Sequence, residues 1–182
     1  MRVVAGTARG RRLRSPDGDT TRPTSDRVRE AVFNALFSQG RLDDARVIDL
    51  FAGSGALGIE ALSRGAAHVW FVESDRSAVA FIDDNLDTLG FRAESTVLPI
   101  EVERAIAAGF GGPVDLVLAD PPYSYDDWVG LSERLVPLVD ADALLVAESG
   151  APVDLSSGWE KLRERTYGGT VITFAHRSGA SA

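Results

Sequence analysis

The chain has no cysteine, only two histidines, and no apolar run long enough to cross a bilayer. Each shortage excludes a class of protein. Without thiols there is no disulfide framework, no thiolate-bound metal and no cysteine nucleophile. His68 and His176 are too few for a multi-histidine metal centre, and both lie in or beside strand-like runs, so they read as structural and no metal is expected. The opening stretch, MRVVAGTARGRRLR, lacks the apolar segment of a secretory signal, and a cytoplasmic protein is the expectation. What remains is ordinary globular material. At 182 residues, 45% of them apolar and 25% charged, the chain suffices for one domain with a sizeable core.

The net charge of −8 conceals an asymmetry. Residues 1–29 hold eight arginines against three acids, a balance of +5, which leaves −13 for the rest. A basic arm on an acidic body suggests a local contact with a polyanion, because the body itself would repel one. The plainer alternative is a solvated arginine-rich tail.

Punctuation along the chain gives its organisation. RVVAG and RRLRS can pair as a hairpin around TARG, and DGDTTRP reads as a loop. A helix is expected from an N-cap at Thr24 or Ser25, with Val28, Val32, Ala35 and Leu36 at helical spacing. From Arg46 onward strands and helices alternate: RVIDLF, a helix over 56–64, HVWFVE, a helix from Ser74 or Asp75 to Gly90, STVLP, a helix over 101–108, VDLVLA, a helix over 127–139, and DALLVAES. WEKLRERTY and TVITFAHR flank Gly168–Gly169 as an antiparallel hairpin. The domain reading is a basic arm over 1–23, one α/β domain over 24–177 and a disordered tail over 178–182. Near-continuous apolar strands imply a parallel sheet covered on both faces, hence a doubly wound fold with its ligand site beyond the strands' carboxyl ends. DLFAGSG, ESD and DPPY all fall on that rim.

GSGALG at 53–58 fits the glycine pattern of a dinucleotide loop, and Glu73 suits a ribose diol. Asp49, however, stands four residues before Gly53, where it would repel a pyrophosphate. A ligand carrying an ammonium and a sulfonium tolerates that acid. S-adenosylmethionine has both, and DLFAGSGALG resembles the cofactor loop of class I methyltransferases. The resemblance implies a Rossmann-like, mostly parallel seven-stranded sheet with an antiparallel C-terminal hairpin. It places Asp49 at the methionine end, Phe51, Gly53 and Gly55 in the loop, Glu73 on the ribose, Ser74 near the adenine and Asp120 beside the methyl group.

DPPY at 120–123 has a chemical reading of its own. An exocyclic amino nitrogen is a poor nucleophile while its lone pair is delocalised into the base. Two acceptors on its N–H bonds turn that lone pair outward. The Asp120 carboxylate and the Pro121 carbonyl can supply them, held by two prolines, with Tyr123 as a stacking face for an extruded base. The motif alone fits adenine N6, cytosine N4, guanine N2 or a glutamine side chain. GTARGRRLRSP, RPTSDRVREAVFNAL, DLFAGSGALGIEALSRGA and DPPY, in that order, resemble the RsmD family over about residues 1–175. That resemblance implies methylation of guanine N2 in 16S ribosomal RNA, with S-adenosylmethionine as cofactor and the RNA, within a small-subunit particle, as partner. A monomer is favoured. It also implies that Arg22, Thr24, Asp26, Arg27 and Arg29 line the substrate side, while the charge asymmetry sets Arg9, Arg11, Arg12 and Arg14 on RNA phosphates. One departure stands out: the family's small–acidic pair after strand 3 is absent, so Leu98 and Ile100 are expected to give the adenine only apolar and backbone contacts. The rivals are a DNA or RNA adenine methyltransferase, a nicotinamide oxidoreductase and a non-catalytic ribosome-assembly factor.

Overall fold

The computed structural model describes residues 1–15 and 23–179, with backbone only for 23–25. Its elements run α1 (Pro23–Ser38), β1 (Arg46–Leu50), α2 (Ala56–Ser63), β2 (His68–Val72), α3 (Arg76–Leu89), β3 (Ser95–Leu98), α4 (Val102–Ala108), β4 (Val114–Ala119), α5 (Trp128–Leu135), β5 (Val139–Ser149), β6 (Trp159–Tyr167) and β7 (Thr170–Arg177). Seven strands form one sheet in the order β3-β2-β1-β4-β5-β7-β6. The first five are parallel; β7 runs antiparallel to both β5 and β6. The strand order reverses between β1 and β4, and the crevice of a doubly wound sheet opens at such a switch point.

Two apolar layers cover the sheet. Val47, Val69, Phe71, Leu116 and Leu118 face one layer; Ile48, Leu50, Val72, Val117 and Leu145 face the other. Their alternation along each strand follows the pleat, and burial on both faces explains why β1 and β4 carry almost no polar residue. Arg46 and Asp115 stand half-buried at or near the strand starts, and Asp49 is the charged residue of these two strands that is fully enclosed, with only 1% of its surface exposed.

Three element ends shift by more than one residue from the sequence expectation: the start of α1, the end of α5 and the start of β5. Helix α1 starts at Pro23, ahead of Thr24 and Ser25, as suits a residue whose missing N–H would go unpaired in the first helical turn. Helix α5 stops at Leu135 instead of reaching 139: Pro137 offers no donor, the chain tightens into a 3-10 turn over Val136–Leu138, and β5 begins at Val139. Asp127 caps α5 by accepting from the Gly130 amide at 3.1 Å.

The N-terminal hairpin forms, with Arg2 and Arg12 bridged antiparallel, the Val3 amide donating to the Arg11 carbonyl at 3.0 Å and Gly10 to Val3 at 2.9 Å. It is packed onto the domain. Val3, Ala8 and Leu13 are buried in the first apolar layer. The buried Glu60 carboxylate of α2 accepts from the Val4 and Ala5 amides, at 2.7 and 3.0 Å, and from Arg64 Nε at 2.7 Å. Ser63 donates to the Ala5 carbonyl at 2.6 Å and accepts from the Ala8 amide at 3.0 Å. Such pairing is what makes a buried carboxylate tolerable.

Candidate active site

The carboxyl ends of β1, β2, β4 and β5 border one cleft of about 1140 Å³. It is lined by Asp49 and the 51–54 loop, by Glu73 and Ser74, by residues 120–126, and by Glu148; Glu101 and Glu103 at the start of α4 and Met1 of the hairpin close its sides. Seven carboxylates face this space, with no lysine, arginine or histidine among the described lining residues. A diphosphate would find no counter-charge here. A cationic ligand would find several.

The loop after β1 is shaped by backbone constraints. Phe51 adopts φ 59°, an uncommon conformation for a bulky residue, and its ring lies 5.2 Å from that of Tyr125. The glycines divide their work. A Cβ on Gly58 would come within 2.3 Å of the Phe71 ring, so Gly58 exists for close packing of α2 on β2. A Cβ on Gly53, at φ 55°, would meet nothing within 4 Å and would protrude into open space beside the loop, where a ligand can approach the backbone. The Gly53 amide donates to Glu73 Oε2 at 2.8 Å, and Glu73 Oε1 accepts from the Asp75 amide at 2.8 Å. Each carboxylate oxygen keeps a further lone pair for a hydroxyl donor. Asp49 accepts from the Gly58 amide at 2.8 Å. Burial nonetheless holds its carboxyl well above the usual range, with the Gly58 bond opposing and the charges of Asp120 and Glu73 adding.

The DPPY loop leaves β4 directly after Ala119. Pro121 is buried, the Tyr125 amide donates to the Pro122 carbonyl at 2.8 Å, and no described donor meets the Pro121 carbonyl. Asp120 opens to the cleft, yet the surrounding walls displace bulk water from it, and this desolvation pushes its carboxyl up to about 6. Glu148 stands beside it: Ala119 and Ala147 are register partners on neighbouring parallel strands, and each is followed by an acid. Desolvation first, then the charge of Asp120, pushes Glu148 up to about 7, against the opposing pull of Arg29. Tyr123 is 69% exposed. It stands against Gly150, between this cleft and a smaller one lined by Trp128, Val129 and residues 149–154.

Of the sequence-predicted residues, Asp49, Phe51, Gly53, Glu73, Ser74, Asp120, Pro121 and Tyr123 all line the cleft. Gly55 supports it as the left-handed residue before α2. Leu98 and Ile100 are half-buried in the second apolar layer and do not line it; Glu101, one residue on, does. Its carboxylate makes no cap bond to α4 and so stays open to a ligand. Arg29 is buried, donating to the Arg2 carbonyl and to Asp26 Oδ1, with Glu60 at 4.0 Å. It reaches the cleft only through its field on Glu148. Arg27 is exposed, Arg22 lies outside the described residues, and so does the side chain of Thr24. Arg11 donates to the Thr88 carbonyl at 3.0 Å and Arg14 pairs with Asp84, both on α3, whereas Arg9 and Arg12 have no side-chain partner among the described residues. Sequence reasoning missed Glu148, Glu101 and Tyr125. An acid at the end of β5, one strand from DPPY, was the available signal for Glu148.

His68 Nε2 sits 2.9 Å from Thr96 Oγ1 and His176 Nε2 lies 3.1 Å from Glu160. No group of three metal-ligating side chains exists among the described residues, nor a helix long and apolar enough to cross a membrane.

The strand order, the glycine loop and the acid-lined switch-point cleft define a Rossmann-like class I methyltransferase fold. Solved structures bear this out at low identity: a magnesium protoporphyrin IX methyltransferase from Synechocystis superposes with TM-score 0.67 at 19% identity, covering 85% of this chain and 80% of the other. Closer likeness narrows it. The model of the family described as Conserved hypothetical protein 95 matches residues 1–176, and the chain belongs to that family, the RsmD family of methyltransferases. It is 37% identical to the ribosomal RNA small subunit methyltransferase D of Escherichia coli strain K12, over 92% of this chain and 85% of that one. A solved Escherichia coli structure, provisionally described as the methyltransferase yhhF, is 34% identical with TM-score 0.82 and 99% of both chains covered.

Proposed function

We propose that this chain transfers a methyl group from S-adenosylmethionine to the exocyclic N2 amino group of a guanine in small-subunit ribosomal RNA. The observation that carries the reading is the pair of unengaged acceptors, the Asp120 carboxylate and the Pro121 carbonyl, on the rim of a cleft lined with acids. The name of the Escherichia coli relative supports the ribosomal substrate.

The cleft suits the cofactor. Glu73 offers lone pairs to a ribose diol, the desolvated Asp49 regains its charge opposite an ammonium, and the space beside Gly53 admits a ligand against the backbone. Glu101, which lines the cleft, accepts from the adenine amino group in this reading. Bound there, the cofactor supplies an electrophilic methyl group on a sulfonium. Asp120 and the Pro121 carbonyl accept the two N2–H bonds and draw the nitrogen out of conjugation, so its lone pair faces the electrophile. Transfer would break the sulfonium S–CH3 bond to leave a neutral thioether as the N–CH3 bond forms, and Asp120 would take the proton that the then cationic nitrogen sheds. Tyr123 stacks on the extruded base. The exposed Arg9, Arg12 and Arg27 contact phosphates outside the acidic cleft.

The test incubates the protein with methyl-labelled cofactor and 16S RNA, free and in particles, then digests the product to nucleosides. N2-methylguanosine supports the reading. N6-methyladenosine, or tighter binding of NAD than of S-adenosylmethionine, overturns it.

A further inference from the structure

We infer that Glu148 is the residue that selects guanine, by accepting the N1–H bond next to the amino group held by Asp120 and Pro121. The inference rests on the guanine-N2 reading above and deepens it. Guanine presents three adjacent donors: N1–H and one N2 hydrogen on its Watson–Crick edge, and the second N2 hydrogen on its sugar edge. Adenine and cytosine each present an amino group beside a bare ring nitrogen, which is an acceptor. An amino clamp alone therefore tolerates all three bases. A third acceptor beside the clamp accommodates guanine and sets lone pair against lone pair for the others.

Glu148 occupies that place. It ends β5 directly beside the end of β4, in the register that pairs Ala119 with Ala147, and it lines the same cleft as Asp120 and Pro121. No described donor meets its carboxylate, so both oxygens are open to a ligand. Buried Arg29 behind it and a cationic cofactor in the cleft both favour the ionised, acceptor-only form. A carboxylate without such a role would be an expensive neighbour for Asp120, since two like charges on adjacent strands repel. Its function as an acceptor explains its presence.

The discriminating probe is a synthetic RNA fragment bearing the target guanine, alongside the same fragment with 2-aminopurine there. 2-Aminopurine keeps the N2 amino group but has a bare N1. The wild-type protein is expected to methylate the analogue with kcat/KM about tenfold to a hundredfold lower than guanine, the range of one base-reading contact. Glu148→Gln, whose amide offers a neutral oxygen to N1–H but an NH2 donor to a bare N1, is expected to fall on guanine, where a charged acceptor becomes a neutral one, and to gain on 2-aminopurine, erasing the preference. Glu148→Asp keeps an acceptor and should retain the guanine preference at reduced rate. Equal wild-type rates on both bases, or an equal loss on both in Glu148→Gln with unchanged cofactor affinity, would overturn the inference. Failure of the underlying reading looks different: the wild-type label would then appear in a nucleoside other than N2-methylguanosine.

Discussion

Methyl transfer by this protein should fall steeply as the solution is acidified below neutrality. Asp120 and Glu148 are desolvated and sit side by side, with carboxyls pushed up to about 6 and about 7. Asp49 and Glu73 also face the cleft, and Arg29 acts on Glu148 from behind. In the proposed reading both acceptors are ionised when they hold the base, so kcat/KM is expected to follow the product of their ionised fractions in the free protein. With those values the product is about 0.9 near pH 8 and about 0.05 near pH 6, a loss of roughly twentyfold. Near pH 5 the loss reaches about a thousandfold, with a limiting slope of two in log rate against pH. Glu148→Gln removes the higher-titrating group and its repulsion of Asp120, so its profile should bend at lower pH and fall with a slope of one. The assay is initial rate at low RNA concentration and constant ionic strength, with circular dichroism at each pH to establish that the fold persists. A flat profile between about pH 6 and 8 would refute the role of both carboxylates.

Other consequences are as direct. Glu73→Ala should weaken S-adenosylmethionine by about 1.5–3 kcal/mol in calorimetry, since charged hydrogen bonds to the ribose are lost together with the anchor of the Gly53 amide. Asp120→Ala should cut single-turnover methylation by about a hundredfold or more while cofactor affinity changes little. Glu148→Gln should raise the melting temperature near pH 8 by a few degrees, an effect that fades towards pH 5. The sign follows from its raised folded value: between the usual carboxyl range and about 7 the native state holds the extra proton, so stability falls as pH rises through that window. Arg9 and Arg12 together replaced by Ala should flatten the salt dependence of log RNA affinity by about 1.5 units, whereas Arg14→Ala, which breaks an exposed pair, should alter melting hardly at all.

Most of the fold was legible because its signals are local. Apolar runs of strand length, a helix closed by Gly90, and three unusual strand ends on one rim define a doubly wound sheet without reference to distant contacts. The cleft residues at the ends of β1, β2 and β4 were legible for the same reason. What escaped is non-local. Nothing near Arg29 in the chain reveals that it turns inward to the hairpin, because Glu60 and the Arg2 carbonyl come from other elements. Glu148 looks like the end of an ordinary strand until the β4–β5 register sets it beside Asp120. The termination of α5 was readable from Pro137, but the apolar run around it resembles a helix continuing.

The placement of charge resolves what first looks like a contradiction, an acidic cleft in a protein read as binding a polyanion. Seven carboxylates around the reacting centre repel a phosphate backbone, so no strand of RNA can lie along the cleft floor. In the proposed reading a single base enters, because guanine turns its N1–H and N2 donors towards those acids while its O6 acceptor lies beyond them, and the exposed Tyr123 receives its face. The backbone must then stay outside, where Arg9, Arg12 and Arg27 are exposed. On that reading the same acids that repel phosphate attract a cationic cofactor, so one charge pattern serves both to fill the site and to keep the rest of the RNA at its edge. The hairpin that carries Arg9 and Arg12 is also tied to the cofactor loop: Asn85 holds the Arg14 amide and carbonyl, at 2.7 and 2.9 Å, and donates to the Ser54 carbonyl at 3.1 Å. The surfaces proposed to bind phosphate and cofactor are thus joined through one buried side chain.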